Sequence, residues 1–198
     1  MKDISLIGFM GCGKSSVGKI LATLLPEYRL IDLDSYIEEK RGLTIPEIFN
    51  EYGEAAFRRM EREALEEIFR DPDRPRAILS LGGGTVTTEE CRRLIRQHTD
   101  CFYLRATTGT LLANLEGHSE GRPMLNPTQP VEATSTEVSS EREALRHRIE
   151  SMMQTRSPQY QSTAHHTIDI DGHTAAQIAA QIAAQIAAQI AAQIAAQI

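Results

Sequence analysis

Apolar positions along this chain follow two alternating rhythms. Short apolar runs at Ile4 to Gly8, Tyr28 to Leu33, Ala77 to Leu81, Cys101 to Arg105 and His166 to Ile170 predict strands. Between them, apolar residues recur at helical spacing over Lys14 to Leu25, Ser35 to Arg70 with breaks near Gly42 and Gly53, Thr88 to Gln97, and the charged stretch Glu141 to Thr155. Thr87 or Thr88 is the expected N-cap of the helix that follows. Strands alternating with helices predict an α/β fold with a parallel sheet and right-handed crossovers.

Two stretches break the alternation. Residues 117–140 are rich in Gly, Pro, Ser, Thr and Glu, and are too long for an ordinary connection, so they read as a functional lid or a disordered segment. From Ala175 the chain repeats Ala-Ala-Gln-Ile six times, and nothing in that composition stops a helix. Four residues exceed one helical turn, so each isoleucine is rotated by roughly 40° from the last. Only the first two or three isoleucines of residues 175–198 are therefore expected to face one core. Deleting residues 184–198 is expected to leave turnover nearly unchanged.

Composition narrows the setting. The 198 residues suit one domain, and 41% are hydrophobic, enough for a real core. A net charge of -6 argues against nucleic acid or an anionic membrane as the main partner. The three cysteines, Cys12, Cys91 and Cys101, have no metal-ligand spacing, and their odd number fits a reducing, cytoplasmic setting. His165-His166 reads as a strand edge, because no third ligand accompanies it. No unbroken apolar run of 18 residues and no signal-peptide pattern is found, so a membrane span and a leader are not expected.

The strongest local signal is Gly8-Phe9-Met10-Gly11-Cys12-Gly13-Lys14-Ser15, a full GxxxxGK[ST] match between a predicted strand and a predicted helix. Its glycines let backbone N–H groups wrap phosphates, and the helix N-terminus adds positive potential. Lys14 reaches toward the β/γ-phosphates and the Ser15 hydroxyl is suited to Mg²⁺. Cys12 reads as a small filler inside the loop. A GTPase is excluded, because the chain has no Asn-Lys-x-Asp, and Asp169-Ile170-Asp171-Gly172 lies beyond the last strand. A small-molecule kinase remains.

Three further features point to an acceptor. Asp32 and Asp34 end the second strand, where ligands bind in open parallel sheets. Read as extended chain, both carboxylates face one side; one suits Mg²⁺ through water and the other an acceptor hydroxyl, while Asp34 is equally suited to cap the next helix. Arg58 and Glu61 share a helix face. Gly82-Gly83-Gly84 lets a ligand approach the backbone at a strand end.

Together with Phe57-Arg58-x-x-Glu61, Leu81-Gly82-Gly83-Gly84, Gly121-Arg122-Pro123-Met124-Leu125 and Arg156-x-x-x-Tyr160, these motifs resemble the shikimate kinase family, in that family's order, over residues 1–174. The resemblance implies a three-layer P-loop kinase fold, with a five-stranded parallel sheet in the order 2-3-1-4-5, acceptor-binding helices at 35–62 and a lid at 112–140; the repeat tail, read as an extended C-terminal helix, runs past the family's usual final helix. It implies ATP as donor, Mg²⁺ as cofactor and shikimate as acceptor; a monomeric chain is expected. Gly11, Cys12, Gly13, Lys14, Ser15, Ser16 and Arg122 would hold ATP, and Ser15 and Asp32 would serve Mg²⁺. Asp34, Arg58, Glu61, Gly82, Gly83, Gly84 and Arg156 would form the shikimate pocket, Glu61 acting by positioning Arg58. Lys14, Asp34 and Arg122 would carry the chemistry. Residues 114–120 offer His118 as their single basic candidate for an adenine contact. Other small-acceptor kinases and a non-catalytic ATP-binding module are the competing readings.

Overall fold

β1 (Asp3–Ile7) is buried at every position, because it lies at the centre of a sheet covered on both faces. Our computed structural model describes residues 2–116 and 135–196. In chain order, β1 is followed by α1 (Lys14–Leu24), β2 (Tyr28–Asp32), α2 (Leu33–Arg41), α3 (Ile45–Arg70) and β3 (Arg76–Ser80). A 3₁₀ turn (Thr85–Thr87) leads to α4 (Glu89–His98), β4 (Thr99–Arg105), α5 (Thr108–Leu115), α6 (Ser135–Thr163), β5 (His166–Asp169) and α7 (Ala175–Ala195). The five strands are parallel in the order β2-β3-β1-β4-β5, as the resemblance implies. This order sets the carboxyl ends of β2, β3 and β1 side by side, so the segments that follow them meet at one edge. Asp32 and Leu6 both pair in register with Ser80.

Four local details depart from the sequence expectation. β2 stops at Asp32, and Leu33 already begins α2, so Asp32 and Asp34 are not related by an extended chain. Asp32 provides the N-cap, its carboxylate accepting from the Ser35 N–H at 3.4 Å, and Asp34 sits in the first turn. Thr88 occupies the N-cap position of α4 without a side-chain bond. α6 continues through Pro158 to Thr163, beyond the expected end at Thr155, and this extension carries Arg156 and Tyr160. α5 is an element the sequence reading did not separate; Thr107 caps it and Leu111, Leu112 and Leu115 are buried. Residues 112–115 of the expected lid thus belong to a packed helix, and residues 117–134 lie outside the described residues.

The repeat tail is helical from its first residue. Thr174 and Gln177 form a reciprocal capping box, with the Thr174 N–H donating to Gln177 at 2.8 Å. α7 packs along α1, burying Ile178, Ala179, Ile182 and Ile186; Ile190 is half-buried and Ile194 is 57% exposed. Three buried isoleucines are what a 40° drift per repeat allows. By length and composition α7 could cross a membrane, with a mean hydropathy of 1.4. Glutamine at every fourth position keeps it from being an unbroken apolar run, and its first half belongs to the core. Deletion of residues 192–198 is expected to leave the melting temperature unchanged, whereas deletion of 184–198 also removes buried Ile186 and is expected to cost about 2–4 kcal/mol. Thermal denaturation of the two truncations checks this, and it moves the tolerated truncation point past residue 190.

Candidate active site

The phosphate loop is built from backbone conformations that side chains disfavour. Gly8, Gly11 and Gly13 have φ of 147°, 82° and 85°. At Gly8 a Cβ would also lie 2.7 Å from the Leu104 carbonyl oxygen and 2.8 Å from Cys12 Sγ. Cys12 is itself 2% exposed in the core, consistent with its reading as a filler. Lys14, the first residue of α1, is buried and donates from Nζ to the carbonyls of Gly8 at 2.9 Å and Phe9 at 3.1 Å. Its charge is therefore held inside the loop's curve. Ser15 Oγ donates to Asp32 Oδ2 at 2.9 Å and lies 3.2 Å from Ser80 Oγ. Ser80 was not singled out in the sequence; it is a polar residue in the otherwise apolar end of β3, which is the signal that could have found it.

Around this loop lies a cleft of about 640 Å³ lined by Gly11, Gly13, Lys14, Ser15, Ser16, Asp32, Asp34, Ser80, Gly82, Gly83 and Asn114, among others. Asn114 fastens α5 to the loop, donating from Nδ2 to the Gly11 carbonyl at 2.9 Å. Asp34 is the unusual group in this cleft. Its Oδ1 is buried and accepts no hydrogen bond. Burial, reinforced by the charges of Glu61 and Asp32, pushes its carboxyl up to about 7, with Lys14 opposing. Gly82 lies directly beneath: a Cβ there would be 3.0 Å from both Asp34 Oδ1 and Glu61 Oε1.

Gly84, Arg58, Glu61 and Arg156 are not among the residues lining the cleft; Glu61 and Arg58 pack against the glycine turn, at Gly82 and Gly84. Arg58 Nη1 donates to Glu61 Oε2 at 2.6 Å, and Glu61 is fully buried, where it also accepts from Thr85 Oγ1. Burial raises the Glu61 carboxyl above its ordinary value, and Arg58 and Thr85 oppose this. The Arg58 guanidinium lies so close to Gly84 that a Cβ there would be 2.3 Å from Nη2. Arg156 is 6% exposed, with its guanidinium carbon 5.9 Å from the centre of the Phe9 ring. One helical turn later, Tyr160 OH donates to the Gly83 carbonyl. Thr85 and Tyr160 had no role in the sequence reading. Both serve partners distant in the chain, although Tyr160 stands in the Arg156-x-x-x-Tyr160 pattern. Arg122 and His118 lie outside the described residues.

A second cavity, about 370 Å³, lies at the amino edge of the sheet between Lys2, Tyr28, Asp100, His165, Gln189 and Ile190, and contains none of the phosphate-loop residues. There His165 Nδ1 accepts from the Cys101 N–H; the nearby His166 ring stacks on Phe102, with its Nε2 3.0 Å from Asp100 Oδ1 and 3.1 Å from Gln189 Nε2, so both histidines have structural partners. Among the described residues no group of three metal-ligating side chains occurs, and all three cysteines are free and buried.

The sequence model of the family described as shikimate kinase matches residues 10–187. This chain belongs to the shikimate kinase family. Family relatives include a shikimate kinase of Thermus thermophilus, 35% identical over 175 residues, covering 88% of this chain and 84% of that one. The shikimate kinase of Alkaliphilus oremlandii is 42% identical over 125 residues, covering 63% of this chain and 72% of its own. Among solved structures, shikimate kinase from Acinetobacter baumannii in complex with shikimate superposes with a TM-score of 0.81 at 30% identity, covering 96% of this chain and 94% of that one. Family membership and the sheet order agree on a P-loop kinase fold, and the glycine turn, Asp34 and the Arg58–Glu61 pair are set around the phosphate loop within it.

Proposed function

We propose that this chain transfers the γ-phosphoryl group of ATP to the 3-hydroxyl of shikimate, giving shikimate 3-phosphate and ADP. The observation that carries the reading is Asp34: a carboxylate with a buried, unpartnered oxygen, in the same cleft as the phosphate loop and above Gly82. An acceptor hydroxyl donating to that oxygen supplies the bond it lacks and faces the loop. Asp34 orients the hydroxyl and receives its proton as the new O–P bond forms. A carboxyl near 7 is matched to that task at neutral pH. Lys14 leaves the Gly8 and Phe9 carbonyls for the phosphates, where its charge stabilises the transferring group. Arg58 and Arg156 hold the acceptor's carboxylate, for which the planar guanidinium is suited. The family resemblance implies Arg122 as a further cation for the phosphates.

Ser15 and Asp32 fit Mg²⁺, since a hydroxyl and a carboxylate lie 2.9 Å apart beside the phosphate loop and are hard oxygen donors. When bound there, the ion supplies charge neutralisation to the phosphate oxygens. Few protein ligands are needed, because Mg²⁺ keeps several waters and shares phosphate oxygens. The reaction belongs in the cytoplasm and requires neither nucleic acid nor membrane.

ADP release with ATP plus shikimate, gluconate, a nucleoside monophosphate or no acceptor tests the assignment. Stimulation by shikimate alone is expected, and none by shikimate would overturn it. Arg58→Ala is expected to raise the shikimate KM about 10- to 100-fold, the value of a charge-assisted bidentate contact, with the ATP KM held within twofold. Equal loss toward both substrates would show that Arg58 does not hold the acceptor.

A further inference from the structure

We propose that Glu54 is a built-in competitor of the acceptor, holding the edge of Arg58 that an acceptor carboxylate needs. The inference rests on Arg58 being the acceptor's carboxylate partner.

The guanidinium of Arg58 is divided between two carboxylates. Nη1 donates to Glu61, while Nε and Nη2 both donate to Glu54 Oε1, at 3.2 and 2.8 Å. Nε and Nη2 form the side-on edge, one of the two edges on which a carboxylate can be bound by parallel N–H bonds. The terminal nitrogens and Cζ on the other side are packed against Gly84, whose added Cβ would lie within 2.6 Å of all three. An acceptor carboxylate that takes two bonds from Arg58 therefore meets Glu54 on the edge that is left.

The two carboxylates differ in how firmly they are held. Glu61 has no exposed side-chain surface and a second donor in Thr85, so it is a fixed partner. Glu54 is 49% exposed and engages through a single oxygen, so it can turn to water at low cost. Charge favours exchange over addition: a third carboxylate beside one guanidinium would leave two unbalanced negative charges, and exchange leaves one. Gly53 sets the arrangement. With φ 76° and ψ 170° it kinks α3, so Glu54 opens the second helical segment one turn before Arg58, in the favourable i, i+4 orientation.

The test is shikimate binding by calorimetry and steady-state KM, with the full chain. Glu54→Gln is expected to tighten shikimate about threefold, with the ATP KM and the melting temperature unmoved; structural damage does not improve binding. Glu54→Ala is expected to give the same gain. Glu54→Asp, shorter by one methylene but still charged, is expected to fall between the parent and Glu54→Gln. On an Arg58→Ala background, Glu54→Gln is expected to have no further effect. Unchanged or weaker shikimate binding by both Glu54→Gln and Glu54→Ala, while Arg58→Ala weakens it, overturns the competitor and leaves Arg58 in place. Unchanged binding in Arg58→Ala overturns the assignment of Arg58 and the competitor with it.

Discussion

Asp34→Asn is expected to lower kcat with shikimate by about 10³-fold, within the range of removing a general base, while raising stability at pH 8. The two effects have one cause. The Asp34 carboxyl is pushed up to about 7, first by burial and then by Glu61 and Asp32. Its folded value lies above its unfolded value of about 3.9, so between these two pH values the folded chain binds more protons than the unfolded chain. Ionising Asp34 therefore removes stability progressively as pH rises from about 4 to about 7, and above that the cost is constant. A shift of this size corresponds to at most ~4 kcal/mol. The amide that replaces the carboxyl has no charge to bury and escapes that cost. In the parent, kcat/KM is expected to rise with pH through about 7 as Asp34 becomes a base, and this limb is expected to vanish in Asp34→Asn. Denaturant titrations at pH 5 and pH 8, with pH–rate profiles, check both. A variant that loses stability at pH 8 while keeping the acidic limb would remove Asp34 from the proton transfer.

Lys14→Ala is expected to reduce kcat/KM for ATP by about 10³-fold, the scale of losing one preorganised charge at a transferring phosphoryl group. Lys14 is buried and its ammonium is satisfied by two loop carbonyls, Gly8 and Phe9. The same carbonyls regain water when the side chain is removed, since the loop borders the cleft, so the fold is expected to survive. Single-turnover kinetics and circular dichroism separate the two effects. Loss of activity with loss of structure would show instead that Lys14 mainly holds the loop closed.

Legibility in the sequence tracked the distance over which each feature is specified. The phosphate loop was readable because strand, glycines, Lys14 and helix are consecutive, and each is required by local backbone geometry. The tail was readable for the same reason, since the mismatch between four residues and one helical turn limits how many isoleucines can be buried. The α6 extension was not readable, because Pro158 signals a helix end locally. There the core outweighs the local signal: Arg156 and Tyr160 are buried only if the helix continues. The sequence marks Asp32 and Asp34 as a pair but not their local geometry, because extended strand and first helical turn are not distinguished by an Asp-x-Asp spacing.

The sequence by itself determined the α/β alternation, the phosphate-binding loop and, through an ordered set of motifs, the family. These depend on short-range periodicity and on glycines whose backbone angles no other residue accepts readily. Only the tertiary structure decided the electrostatics of the site. Thr85 meets Glu61 across 24 positions, Ser80 meets Ser15 across 65, and Tyr160 meets Gly83 across 77. Such contacts exist because the sheet order places the ends of β2, β3 and β1 together. The raised Asp34 carboxyl and the division of Arg58 between Glu54 and Glu61 follow from burial and neighbouring charge, which no local pattern encodes.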